Sequence, residues 1–64
     1  MNELEAVADT ARRRAEAQAA LDALDAELQQ RVREAFTSGH GGTAIARASG
    51  LSRARVFQVR DGRR

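Results

Sequence analysis

Residues 42–61 read GTAIARASGLSRARVFQVRD, and this stretch decides the fold. Thr43 carries the side-chain oxygen of a helix N-cap and is expected to open a short helix from Ala44 to about Ser49. Gly50 supplies the positive φ that a sharp turn between helices needs, and Leu51 behind it is the apolar plug that turns inward. Ser52 is placed to cap a second helix, from Arg53 to about Asp61. Ile45, Ala46, Leu51, Val56 and Val59 fall on the inner faces, and Ala46 is small enough to let the two helices cross closely.

Upstream, Asn2 can cap a helix while Glu5 reaches back to it, a variant of the capping box. From Glu3 to about Thr37 there is no glycine or proline, and Gly39 stands where a left-handed helix C-cap belongs. One helix of roughly 50 Å is predicted at ~1.5 Å per residue. It carries two apolar stripes about a third of a turn apart. Ala17, Leu21, Leu24, Leu28, Val32 and Ala35 form one, expected to cover the core of the C-terminal segment. Leu4, Ala8, Ala11, Ala15, Ala19 and Ala26 form the other, which is left for a second copy of the chain or stays a solvated arm. Arg12, Arg13 and Arg14 read as a solvated face pairing with Asp9 or Glu16. The division expected is an arm over residues 1–20 and a helical domain over residues 21–64. Between the helices, His40, Gly41 and Gly42 read as a flexible connector with an exposed histidine. No preceding strand or glycine–lysine motif marks these glycines as a phosphate cradle.

Composition agrees with helix throughout. Alanine supplies 14 of the 27 hydrophobic residues, and there is no proline, tryptophan or tyrosine. At 64 residues the core is small. Without cysteine it has neither a disulfide nor a thiolate metal site to brace it, so oligomerisation, most simply a homodimer, is the stabiliser expected. No apolar run approaches the ~20 residues of a membrane helix, and a cytoplasmic protein is expected. No nucleophile stands with a base, and no metal set or pocket carboxylate pair is apparent, so neither catalysis nor a cofactor is expected.

The formal net charge of +2 hides a division. Residues 1–38 hold five arginines and eight acids, whereas residues 39–64 hold six arginines and one acid. Clustered positive charge on a short folded segment attracts polyanions, although charge alone also fits a solvated arginine surface.

The stretch from Ile45 to Val59 resembles the helix-turn-helix of bacterial and phage repressors, in the IAxAxGLSRxxVxxV form common in small actinobacterial regulators. The likeness covers about a third of the chain. Its hallmark positions are an alanine in the first helix, a glycine in the turn and an apolar residue in the second helix, matched here by Ala46, Gly50 and Val56. Ser49 departs from the more apolar residue usual there, which weakens local packing. The resemblance implies an all-α fold, a long N-terminal helix followed by a helix-turn-helix, acting as a dimer on double-stranded DNA. The second helix would then lie in the major groove.

With Val56 and Val59 inward, the opposite side of that helix presents Ala54, Phe57, Gln58 and Asp61, flanked by Arg53 and Arg55. Ser52, Arg53, Ala54, Phe57 and Gln58 are the expected base-contacting set. Arg53 can pair with guanine O6 and N7, Gln58 with adenine N6 and N7, and Phe57 can cover a thymine methyl. The other reading of Phe57 is core packing against Phe36 or Leu28. Asp61 either accepts from cytosine N4 or ends the helix before Gly62. Thr43, Arg47, Arg55, Arg60, Arg63 and Arg64 are the expected phosphate contacts, with Arg55 alternatively bracing an acid on the long helix and Arg63 and Arg64 alternatively a solvated tail. A transcriptional regulator holding two recognition helices ~34 Å apart on a pseudo-palindromic site is the function expected. The alternative is an interaction module whose long helix docks on a partner such as RNA polymerase.

Overall fold

The computed structural model describes residues 2–62, which form three helices: α1 over Glu3–Thr37, α2 over Gly42–Ser49 and α3 over Arg53–Asp61. Each boundary has a local cause. At the start of α1, the Asn2 side-chain oxygen accepts from the Glu5 N–H at 2.8 Å, and the Asn2 amide donates back to the Glu5 carboxylate at 3.4 Å. Glu3 and Glu5 also place negative charge at the positive end of the helix dipole. At its other end, Gly39 takes φ +93° and donates to the Phe36 carbonyl, while His40 donates to that of Ala35. These two bonds are a Schellman closure, which satisfies carbonyls the helix would otherwise leave open.

The helix boundary at α2 differs from the sequence expectation. The N-cap is Gly41, in extended conformation, and Thr43 lies within the first turn and makes no capping bond. The Gly41 carbonyl accepts from the Ile45 N–H at 3.1 Å, so the helix is already closed two residues before Thr43 could cap it. The flexible connector is correspondingly shorter, because Gly42 belongs to the helix.

Between α2 and α3 the reading of the turn holds. Gly50 adopts φ 73°, ψ 4° and donates to the Ala46 carbonyl, and the Ser52 hydroxyl accepts from the Arg55 N–H at 3.1 Å. Ser49 reinforces the turn: its hydroxyl accepts from the Leu51 N–H at 3.2 Å and donates to the Ala46 carbonyl at 3.4 Å. The residue that departs from the repressor pattern thus braces the turn. Nothing lies within 4 Å of where a Cβ on Gly50 would sit, so a substitution there meets conformational strain alone. Gly50→Val is expected to destabilise by about 1–3 kcal/mol, because a β-branched residue resists left-handed φ. Thermal unfolding of the variant measures it, and a wild-type midpoint would remove Gly50 as the determinant of the turn.

All three helices pack pairwise. The core is Val32 from α1, Ile45 from α2, and Val56 and Val59 from α3, with Leu28, Ala35, Phe36, Ala46 and Leu51 packed around them. Val56 is fully buried and lies at the centre. Leu21 and Leu24, expected in this core, stay outside it at 51% and 61% exposed. The reason is length. α2 and α3 have 8 and 9 residues, so at ~1.5 Å per residue they span only the last few turns of α1, from Leu28 to Phe36. The remainder of α1 projects as a bare arm, and the molecule measures 55 × 19 × 16 Å. Arm and domain therefore part near Leu28 within one unbroken helix, not near residue 20. On the arm, Arg12 and Arg13 pair with Asp9, and Arg31 bridges Glu27 and Glu34. These solvent-facing pairs each contribute little to stability.

No helix among the described residues is long and apolar enough to cross a membrane.

Candidate nucleic-acid interface

Which residues of α3 can reach a ligand follows from which ones the core takes. Val56 and Val59 point into the core, which fixes the rotation of the helix. Ser52, Arg53, Ala54 and Gln58 are consequently exposed. The Ser52 hydroxyl caps α3 as an acceptor from Arg55, which leaves its proton and a second lone pair for a ligand. Arg47, in the last turn of α2, and Thr43, in its first turn, are exposed as well, while Arg55 is half-buried on the flank of α3. Among the described residues Arg47, Arg53 and Arg55 form no ion pair, and Arg55 does not brace an acid on α1. Arg63 and Arg64 lie outside the described residues.

Phe57 packs within the molecule, against Phe36, which is the second of the two readings its sequence position allows. Its ring is half-buried, with its centroid 5.9 Å from that of Phe36. It also covers Gly42, where a Cβ would come within 2.5 Å of Phe57 Cζ. Only a glycine leaves room for the ring at that point, so Phe57 joins the start of α2 to the end of α1. Arg60 completes the cluster. Its guanidinium lies 4.8 Å from the Phe57 ring centroid and 5.5 Å from that of Phe36, and its Nε donates to Asp61 Oδ1 at 2.9 Å. A guanidinium held over two aromatic faces is already engaged, so Arg60 is less free for a phosphate than Arg47 or Arg53. Asp61 accordingly serves Arg60 at the end of α3, where Gly62 closes the helix at φ 71°.

The packing role of Gly42 and the stacking of Arg60 were missed from sequence. Phe57 and Arg60 stand three residues apart, a spacing that puts an aromatic and a cation on one helical face, and that signal was available. The role of Gly42 depends on a contact across fifteen residues and has no local signature.

The surface that results is a row of exposed polar and small side chains, Arg53, Ala54 and Gln58, along a short helix whose opposite side is fully packed. Such a helix can enter a groove about 12 Å wide without disturbing its own core. Four arginines and one acid fall within residues 39–62, so the field around this end of the molecule is positive, whereas the arm is net acidic. No group of three or more metal-binding side chains occurs among the described residues. No protein-family model, no curated protein and no solved structure matches the chain.

Proposed function

We propose that the chain is a sequence-specific double-stranded-DNA-binding protein, a transcriptional regulator that reads the major groove with α3 and acts as a homodimer. One observation carries this reading. Val56 and Val59 anchor α3 so that Arg53, Ala54 and Gln58 face outward, and Arg53 has no ion pair among the described residues to give up. The positive charge of this end and the likeness of residues 45–59 to repressor helix-turn-helix sequences support it.

In this reading Arg53 and Gln58 recognise purine edges, Ala54 lets the helix approach closely, and Ser52 contributes its hydroxyl proton. Thr43 and Arg47 on α2, with Arg55 on the flank of α3, contact phosphates and set the register of the domain on the duplex. Phe57 supports α3 from behind, and Arg60 holds Phe57.

Titrating salt in a duplex-binding assay tests the proposal. Affinity should fall linearly on a log–log plot as counterions compete, and a competing single duplex sequence should displace the protein better than mixed DNA. Salt-independent binding, or none, would overturn the proposal. Arg47→Ala is expected to weaken binding equally on all sequences and to lower the salt slope by about one unit, because one fewer phosphate is neutralised. An unchanged slope removes Arg47 from the interface.

A further inference from the structure

The arm of α1 leaves a row of large apolar side chains in water: Leu4 is 80% exposed, Val7 65%, Leu21 51% and Leu24 61%. We infer that two copies of the chain pair through this arm in antiparallel fashion, with residue i of one copy beside residue 32 − i of the other. The arrangement rests on the homodimer part of the proposed function and not on DNA binding.

Steric fit favours the antiparallel arrangement. At ~100° per residue, Leu21, Leu24, Leu28, Val32 and Ala35 fall within an arc of about 80° on α1. From Leu28 onward that arc is covered by α2 and α3. A partner helix laid parallel along Leu21 and Leu24 would run into those helices, and its own C-terminal unit would need the same space. Laid antiparallel, the partner carries its own C-terminal unit to the far end of the rod, away from the α2 and α3 that cover this arc. Its Leu4 then comes beside Leu28, at the mouth of an apolar cleft of about 290 Å³ between α1 and α2, lined by Leu28, Val32, Ala35, Ala44, Ile45 and Ala48 among others. The exposed Leu21 and Leu24 adjoin the cleft at Leu28, which lines it.

Charge favours it as well. Leu4, Val7, Ala11, Arg14, Gln18, Leu21, Asp25 and Leu28 occupy the alternating three- and four-residue places of a helix–helix seam. Parallel pairing would set Arg14 against Arg14 and Asp25 against Asp25. In the antiparallel register Leu4 meets Leu28, Ala11 meets Leu21, Arg14 meets Gln18, and Asp25 meets Val7 instead of a second Asp25. Arg14 forms no ion pair among the described residues, and one turn beyond Gln18 on the second copy stands Asp22. On the flank of the seam, Glu3 of one copy faces Arg31 of the other. Alanines at positions 15, 17, 19 and 20, near the two-fold axis, let the helices approach closely.

Antiparallel pairing puts the two C-terminal units at opposite ends of a rod, with their Val32 residues ~48 Å apart along it at 1.5 Å per residue. The one-turn separation of ~34 Å expected from the sequence does not follow from this dimer.

The chain has no cysteine, so single cysteines report the register cleanly. Ala11→Cys and Leu21→Cys are made separately, both lying outside the core. Under mild oxidation each alone should stay largely uncrosslinked, because its counterpart lies ~15 Å away along the rod. Mixed, they should form the Ala11–Leu21 linked pair as the main product. The unmodified chain should sediment at twice its 7.0 kDa mass at tens of micromolar, and Leu21→Glu with Leu24→Glu should return it to a single chain while keeping the helical signal. Linking of Leu21→Cys to itself leaves the homodimer but overturns the antiparallel arrangement. Sedimentation of the unmodified chain as a monomer overturns the pairing altogether and assigns the arm to a different protein.

Discussion

Val56→Asp is expected to abolish the folded C-terminal unit, and with it any duplex binding. Val56 is the one side chain in the core with no measurable exposure, and it touches a cluster drawn from all three helices. A carboxylate there loses its hydration and meets Val32, Ile45, Val59 and their neighbours, with no buried polar side chain among the described residues to receive it. Burying an unpaired charge costs several kcal/mol even after relaxation. A domain of this size rarely holds more than about 3–5 kcal/mol in reserve, so the folded population should collapse. Thermal unfolding followed by circular dichroism should lose its cooperative transition, while part of the signal of α1 persists. A variant that melts like the wild type would mean that the core is not centred on Val56.

Arg53→Ala should leave the fold intact and weaken binding by about 1–3 kcal/mol, concentrated at one base pair of the preferred site, since this is the discriminating value of a bidentate arginine–guanine contact. The side chain is exposed and forms no ion pair among the described residues, so its removal takes nothing from the core. The comparison with Arg47→Ala is informative because both variants lose one positive charge. If Arg53 touches only phosphate, the two variants behave alike, with losses spread evenly over all sequences and similar changes in salt slope. If it reads a base, competition between duplexes that differ at one position separates them. Measuring both variants against a panel of single-base substitutions makes this distinction.

The parts of the fold that were legible in sequence are those fixed by local chemistry. Gly50, Ser52 and Gly39 each answer a backbone demand within a few residues, a positive φ or an open N–H, and each does so in the structure. Val56 and Val59 were legible because their spacing leaves only one way to orient a nine-residue helix. The errors come from contacts between distant segments. Thr43 looked like the cap because nothing near it in sequence reveals that Gly42 must lie beneath Phe57. Phe57 keeps two readings in the sequence, because helical periodicity places it off the valine face while only the distant Phe36, more than twenty residues away, decides that it packs. Leu21 and Leu24 were assigned to the core by periodicity, which specifies a face but not how far along it the partner helices extend. Of the expected interface residues, Arg47, Arg53, Ala54 and Gln58 are exposed together with Ser52 and Thr43, whereas Phe57 and Arg60 are engaged in packing.

Whether α3 reads DNA sequence is decided by selection from a random pool of duplexes. The full chain is incubated with the pool near physiological salt, bound duplexes are recovered and amplified over several rounds, and the survivors are sequenced. One short motif should be enriched, with a purine contact at the position where Arg53→Ala relaxes the preference. A recovered pool with the composition of the starting one would contradict it.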